Sequence, residues 1–119
     1  MIEIEACLDS DGVIKTCRAS GHAGAGKAGA DIVCAAVSVL MRTALSVLAG
    51  REGIVVKGGA PEKGQLWLEA EYNALSSGVS RAEGKAFLFA AGEFLVNGLS
   101  SVAQEYPKNC KFTIRKIDS

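Results

Sequence analysis

The stretch Asp31–Gly50, DIVCAAVSVLMRTALSVLAG, carries the clearest structural signal in this chain of 119 residues. Its apolar residues recur at helical spacing over about five turns: Ile32, Val33, Ala36, Val37, Leu40, Met41, Ala44, Leu45 and Leu48. Asp31 suits the N-cap of such a helix, and Gly50 suits its C-terminal stop. The pattern therefore predicts a long amphipathic helix that begins just after Asp31.

A hairpin and a loop are predicted before this helix. Ile2 to Leu8 alternates apolar and polar residues, which is typical of a strand with one buried face. Asp9-Ser10-Asp11-Gly12 favours a tight turn, and Val13 to Ala19 is predicted as the second strand. The Gly- and Ala-rich stretch from Gly21 to Ala30 has no apolar period, so we expect a loop there.

Two more strands, a second helix and a final strand are predicted after it. Ile54 to Lys57 and Gln65 to Tyr72 have the character of strands. Ser80-Arg81-Ala82-Glu83 is a capping box that opens a helix. Pro107 is expected to end this helix, and Cys110 to Ile117 alternates as a strand. The predicted inner face of the second helix is Phe87, Ala90, Ala91, Phe94, Leu95, Leu99 and Val102.

The predicted element order is ββαββαβ, in a single domain that spans residues 1–119. Two amphipathic helices and a sheet with one face to cover favour a two-layer sandwich. The fold class is therefore α/β of the α+β type, with both helices packed on a mixed, largely antiparallel sheet.

The composition indicates a globular protein with no general preference for a charged partner. Hydrophobic residues make up 49% of the chain, charged residues 22%, and the formal net charge is zero. No global field therefore favours nucleic acid or an anionic membrane. The N-terminus does not resemble a signal peptide, and no run of eighteen apolar residues indicates a transmembrane helix. We expect a cytoplasmic protein with no direct nucleic-acid binding and no membrane association.

The four cysteines, Cys7, Cys17, Cys34 and Cys110, are expected to be free thiols in a reducing cytosol. Their spacing matches no zinc pattern, because there is no C-x-x-C and only one histidine. A site built from Cys17, His22 and Cys34 would lack a fourth ligand. We therefore expect no bound metal and no other cofactor.

The loop before the first helix partly matches two nucleotide-binding motifs. Gly21–Lys27 fits the first seven positions of G-x-x-x-x-G-K-[ST], but Ala28 stands where a hydroxyl must hold magnesium. Gly24–Gly29 spells G-x-G-x-x-G, which needs a βαβ unit to bind a dinucleotide. The strand before this loop is predicted as the second arm of a hairpin, so both interpretations are disfavoured.

A third interpretation of the loop assigns chemistry to its two ends. With Asp31 as the N-cap, Cys34 would be the third helical residue, where unpaired N–H groups and the helix dipole stabilise a thiolate. His22 could pair with that thiolate and protonate a leaving group, and first-turn N–H groups could bind an oxyanion. Alternatively, Cys34 faces the core and His22 is an ordinary loop residue. Spacing alone leaves both alternatives open.

The string SGHAGAGKAGADIVCAAVSVL, residues 20–40, resembles the signature of the ribosomal-processing cysteine protease family called Prp. The matching positions are Gly21, His22, Gly29, Asp31, Ile32, Val33, Cys34, Ala35 and Ser38. Chain length, the N-terminal hairpin and the two-helix layout extend this resemblance over essentially the whole chain.

The resemblance implies a cysteine endopeptidase that removes a short N-terminal extension from a large-subunit ribosomal protein. It also implies that Cys34 is the nucleophile and that His22 is the general base and acid. A two-layer sandwich that forms homodimers is the implied architecture. The alternative function is a non-catalytic module that binds the ribosome or an assembly factor and keeps the motif for structural reasons.

Two residues are predicted to support this site. Asp31 is interpreted as a helix cap that holds the first turn in place, or as a group that orients His22. Ser38 lies one turn after Cys34 on the same side of the helix. It would either contact the site or hydrogen-bond back to the carbonyl of Cys34.

The small residues of the loop suggest a flexible segment that closes over an extended substrate. This closing loop consists of Gly21, Ala23, Gly24, Gly26, Lys27 and Gly29, together with the alanines between them. Lys27 would either touch the substrate or remain solvated. Outside the site, the mildly apolar second side of the first helix (Val39, Thr43 and Val47) is weak support for a dimer.

Overall fold

Seven elements follow one another in the order ββαββαβ, which confirms the predicted order. The computed structural model describes residues 1–21, 28–61, 64–72 and 80–117. The elements are β1 (Ile2–Leu8), β2 (Ile14–Ser20), α1 (Ala28–Ala49), β3 (Ile54–Gly59), β4 (Gln65–Tyr72), α2 (Arg81–Glu105) and β5 (Cys110–Lys116).

The strands form one mixed sheet in the order β3-β4-β2-β1-β5. β1–β2, β2–β4 and β3–β4 are antiparallel, whereas β1–β5 is parallel. β4 runs in the same direction as β1, because both are antiparallel to β2. The crossover through α2 returns the chain so that β5 runs in the direction of β4, and β5 is therefore parallel to its neighbour β1. Side chains from the strands and from both helices join in a single buried core, which confirms the predicted two-layer α+β sandwich.

The β1–β2 turn is held by Asp9, as the turn signal predicts. The Asp9 carboxylate is buried and accepts hydrogen bonds from the N–H groups of Asp11 at 2.9 Å and Val13 at 3.0 Å. Gly12 takes the left-handed conformation, with φ of 81°. The hydrogen bonds satisfy the buried carboxylate, which would otherwise be costly inside the protein.

Helix α1 begins at Ala28, four residues before Ile32, where the sequence predicts its first residue. The assignment of Asp31 as the N-cap is therefore wrong, and so is the loop assignment of residues 28–30. Two of these three residues, Ala28 and Ala30, are alanines, which have the highest helix propensity of any residue, so the helix extends over them although the run has no apolar period. Asp31 instead lies in the first turn, where a negative charge is favourable. The helix ends at Ala49, directly before Gly50, as predicted.

The termini of α2 confirm the capping prediction. The Ser80 hydroxyl accepts a hydrogen bond from the N–H of Glu83 at 3.1 Å. At the other end the helix stops at Glu105, and the N–H of Tyr106 donates to the carbonyl of Val102 at 2.9 Å. Pro107 follows directly and cannot continue the helix.

The inner face of α2 differs from the predicted one. Phe94 is 75% exposed and Ala90 is exposed, although both were expected to face the core. The buried residues of the helix are Gly84, Leu88, Gly92, Leu95 and Leu99. A Cβ at Gly92 would lie 2.9 Å from Cγ2 of Ile14, so the helix packs closely against the sheet through its glycines. Phe94 follows Gly92 by two residues, about 200° around the helix, and therefore points outward.

Both helices are long and apolar enough, by length and composition alone, to cross a membrane. In the fold they cover the sheet instead. Val33, Val37 and Met41 of α1 and Leu95 and Leu99 of α2 are buried in the common core. Such a core explains the apolar inner face of each helix.

The buried Cys17 thiol predicts a loss of stability at alkaline pH. Burial raises its pKa from the ordinary value of 9.0 to about 12, with a smaller contribution from Cys7. Above pH 9 the unfolded chain loses this proton while the folded chain keeps it, so the stabilisation present below pH 9 is lost as the pH rises towards 12. We expect the free energy of unfolding, measured with urea, to fall by about 1 kcal/mol for each pH unit above 9.

The control for this effect is Cys17→Ala. This variant is less stable at every pH because it leaves a small cavity, but its stability should depend less on pH above 9. An identical pH slope in both proteins would show that Cys17 is not responsible.

Candidate active site

Cys34 is the thiol that reaches a cleft. Cys7, Cys17 and Cys110 are buried, whereas Cys34 is half-buried. Burial also raises the pKa of Cys17 and of Cys110, which disfavours their thiolate forms. Cys34 lines a cleft of about 310 Å³ between α1 and one end of the sheet. Of the four thiols, it is therefore the one placed to react with a ligand.

The packing of α1 brings Ser38 to the same cleft. Val33 and Val37 are 0% and 2% exposed and face the sheet. Each is followed by a residue rotated about 100° around the helix, so Cys34 and Ser38 lie side by side at the margin of the buried face. Both line the cleft, one turn apart.

The early start of α1 moves Cys34 away from the helix N-terminus. Cys34 is the seventh residue of the helix instead of the third. Unpaired N–H groups are confined to the start of a helix, and the dipole effect falls off within the first turn. The sequence suggested that the first helical turn stabilises a thiolate and an oxyanion at Cys34. Because Cys34 lies beyond the first turn, this stabilisation is not directed at it.

The wall opposite α1 is formed by the end of the sheet. Ser20 and Gln65 are paired in the β2–β4 ladder and line the cleft. Beyond them, the N–H of Gly21 donates to the carbonyl of Gly64 at 3.1 Å. The cleft is thus bounded by a helix on one side and by backbone at the end of the sheet on the other, a shape that suits an extended chain.

Gly21 is held in place, although the sequence analysis included it in the flexible closing loop. Its φ is +134°, and a Cβ there would collide with the carbonyl oxygen of Met1 and lie 2.9 Å from the Cα of Ile2. Only glycine fits this position without strain. Gly29 also departs from the predicted loop, because it lies in the first turn of α1. The other predicted loop residues and the proposed base, namely His22, Ala23, Gly24, Gly26 and Lys27, lie outside the described residues.

Arg42 is a cleft residue that the sequence analysis missed. It lines the cleft two turns after Cys34 and is the only charged residue among the described residues that do so. The sequence places Arg42 on the same side of the helix as the two predicted site residues, since Cys34, Ser38 and Arg42 follow one another at spacings of four. The sequence alone did not reveal that this side of the helix faces a cleft.

The described residues offer no support for a nucleotide or metal site. β2 runs antiparallel to both β1 and β4, unlike the strand that precedes a P-loop. Within the described parts of the chain, no group of three or more His, Cys, Asp or Glu side chains could hold a metal ion.

A family model described as cysteine protease Prp matches residues 1–111 of the chain. Comparison with functionally curated proteins gave no match.

Three solved structures share the fold. The chain is 24% identical to SMU.848 from Streptococcus mutans, with a TM-score of 0.75 and coverage of 98% of this chain and 96% of that one. It is 18% identical to the essential ribosomal processing protease Prp from S. aureus in complex with a substrate peptide, with a TM-score of 0.75, and 97% and 100% of the two chains are covered. The same protease with a covalently linked product peptide gives 19% identity, a TM-score of 0.72 and the same coverage.

Gly21→Ala is expected to destabilise the protein. The added Cβ would collide with the N-terminal strand and impose strain at a positive φ, which should cost roughly 1–3 kcal/mol. Gly50→Ala is the matched control, because no atom lies within 4 Å of a Cβ built there and its φ is not positive. Urea unfolding measures both. Equal stabilities of the two variants would contradict the assigned role of Gly21.

Proposed function

The chain belongs to the family of the cysteine protease Prp, and on this basis we propose that it is a cytoplasmic endopeptidase that trims a ribosomal protein. The proposed reaction removes a short N-terminal extension from a large-subunit ribosomal protein. The observation that carries this proposal is the position of Cys34, the one thiol of the four that is not buried, in a cleft bounded by the end of a sheet.

The nature of the substrate is inferred from a protein of the same fold. The S. aureus structures are of a ribosomal processing protease, one with a substrate peptide and one with a covalently linked product peptide. In the present chain the cleft beside Cys34 has an apolar floor that includes Ile2, Ala19 and Leu66. Such a floor suits the side chains of an extended peptide, while the backbone at the end of the sheet can hydrogen-bond its main chain.

Cleavage would proceed through a thioester. The thiol proton of Cys34 passes to His22, and the Sγ thiolate attacks the carbonyl carbon of the scissile peptide bond. The resulting tetrahedral intermediate collapses as the C–N bond breaks, and His22 gives its proton to the leaving amine. Water, deprotonated by His22, then attacks the thioester carbonyl. This step releases the other fragment as a carboxylic acid and returns the proton to the thiolate.

The connection of the chain supports His22 as the partner of Cys34. Gly21 lines the cleft together with Cys34, and its conformation is fixed by Met1 and Gly64. His22 follows Gly21 directly in the sequence. This adjacency to a cleft residue supports His22 as the proposed partner of Cys34.

Asp31 and Ser38 are proposed to support the dyad. Asp31 is exposed in the first turn of α1, nearly one turn before Cys34. Its carboxylate could accept a hydrogen bond from the second imidazole nitrogen and so orient His22. Ser38 lines the cleft beside the nucleophile, where its hydroxyl could contact the substrate main chain.

The decisive experiment uses a peptide that spans the N-terminal extension of the ribosomal protein from the same organism. We expect cleavage at one bond, detected by mass spectrometry. Cys34→Ala and His22→Ala should each reduce kcat/KM by at least about a thousandfold, because the two residues act as one unit. Cys7→Ala is the matched control, since Cys7 is buried and does not line the cleft.

Two outcomes would contradict this function. Cleavage that survives Cys34→Ala would show that another group is the nucleophile. Intact peptide after incubation, combined with binding of the protein to ribosomes, would favour the non-catalytic module instead.

We also propose that two copies associate through the outer side of the helices. Phe94 is 75% exposed and lines a shallow groove, and Val39 is 63% exposed on the neighbouring helix. The other residues that line this groove are Leu40, Ala90, Glu93, Asn97, Gly98 and Ser101. A protruding ring and a groove on the same surface are what a twofold-symmetric interface requires, because each copy fills the groove of the other.

Phe94→Glu should therefore convert a dimer into a monomer. The carboxylate would be buried without a partner in the interface, which is strongly unfavourable. Light scattering after size-exclusion chromatography measures the mass. Ile114→Glu is the control, because Ile114 is also exposed but lies in β5, away from this groove. A wild-type monomer, or dimers of both variants, would contradict the proposed surface.

A further inference from the structure

The cleft beside Cys34 continues along α1 into a second, smaller cavity. This cavity of about 130 Å³ shares Arg42, Ala60 and Leu66 with the cleft. Its far end is formed by Met41 and Leu45. Leu45 packs so closely on β3 that a Cβ at Gly58 would lie 2.9 Å from its methyl carbons. The two cavities therefore form one groove, which starts at Cys34 and ends at Leu45.

Arg42 stands at the junction of the two cavities and, among the described residues, is the only charged one that lines the groove. No other described residue that lines either cavity is charged. The ion pairs between described side chains are Arg18–Glu69, Lys85–Asp11 and Arg115–Glu5. Within the described residues, therefore, no carboxylate lies within 4.0 Å of the Arg42 guanidinium. Arg42 is exposed, and the groove around it is lined by both apolar and polar residues. Its positive charge attracts a negative group on whatever occupies the groove.

The distance from Cys34 to Arg42 specifies where that negative group must lie. Arg42 follows Cys34 by eight residues, which is about 12 Å along the axis of an α-helix. An extended peptide advances about 3.3 Å per residue. A substrate that lies along α1 with its scissile carbonyl at Cys34 therefore presents its third or fourth residue from that bond to Arg42.

We propose that Arg42 determines specificity by binding an aspartate or glutamate side chain three or four residues from the scissile bond. A carboxylate matches the planar guanidinium, which can donate two parallel hydrogen bonds to it. The second cavity, which Met41, Leu45 and Trp67 also line, receives an apolar side chain of the next residues. This inference rests on the proposed peptidase function and names a feature of its substrate.

The test is a peptide series with one glutamate moved through the third to fifth positions on each side of the scissile bond. Matched peptides carry glutamine at the same positions. For the wild-type protein we expect kcat/KM to favour glutamate by about fivefold to tenfold at the third or fourth position on one side. This factor lies between those typical of exposed ion pairs and of desolvated charged hydrogen bonds. Added salt should reduce the preference.

Variants of Arg42 separate recognition of charge from a structural role. Arg42→Gln should remove the glutamate preference while cleavage of the glutamine peptides persists. Arg42→Glu should reverse the preference and favour lysine at the same position. Arg115→Gln is the matched control, because it removes an exposed arginine from β5, at the opposite edge of the sheet from β3.

A second measurement does not depend on catalysis. The Cys34→Ala protein should bind a fluorescent glutamate peptide more tightly than its glutamine counterpart, and the additional Arg42→Gln change should abolish the difference. Equal cleavage of both series by wild-type protein, or a preference that survives Arg42→Gln, overturns the inference and leaves the peptidase function standing. If no peptide is cleaved by the wild-type protein, the proposed function fails and the inference fails with it.

Discussion

The rotation of α1 about its own axis is the constraint on which the cleft depends. Burial of Val33 and Val37 against the sheet sets this rotation, and each buried valine contributes about 1.5–3 kcal/mol. The residue that follows each valine is turned about 100° away from the core. Cys34 and Ser38 consequently lie at the margin of the buried face, and Arg42 continues the same line. A different rotation would bury the thiol, as happens to the other three cysteines, or expose it fully to solvent.

Glycines determine how closely the two layers approach. Positions 58, 92 and 98 each face a side chain that would lie within 3 Å of an added Cβ: Leu45, Ile14 and Leu40 respectively. Phe94 follows the buried Gly92 by two residues, about 200° around α2, so its ring points outward. The same packing forms the closed end of the groove beside Cys34, and Phe94 remains on the outer side of α2. Interior contacts at this density tolerate little change in volume.

Much of the fold could be predicted because it follows from local chemistry. The turn at Asp9, the cap at Ser80 and the end of α2 before Pro107 depend on groups only a few residues apart. Two errors have a common origin, since both concern small residues. Ala28–Ala30 has no apolar pattern yet is helical because alanine favours the helix. Gly84 and Gly92 carry no apolar signal, yet they occupy the buried face of α2. For this reason the predicted inner face differs from the observed one by part of a turn.

The identity and order of the elements, and the shared helix side of Cys34 and Ser38, were already determined by the linear pattern of residues, because turns, caps and helical spacing act over a few positions. The cleft itself was decided only in three dimensions. Ser20 and Gln65 are 45 positions apart and meet through the β2–β4 ladder, and Gly21 is locked by Met1 and Gly64. Whether a helix face meets core, cleft or solvent depends on such long-range packing. No local pattern encodes it, and for that reason the position of Arg42 at the cleft is visible only in the folded molecule.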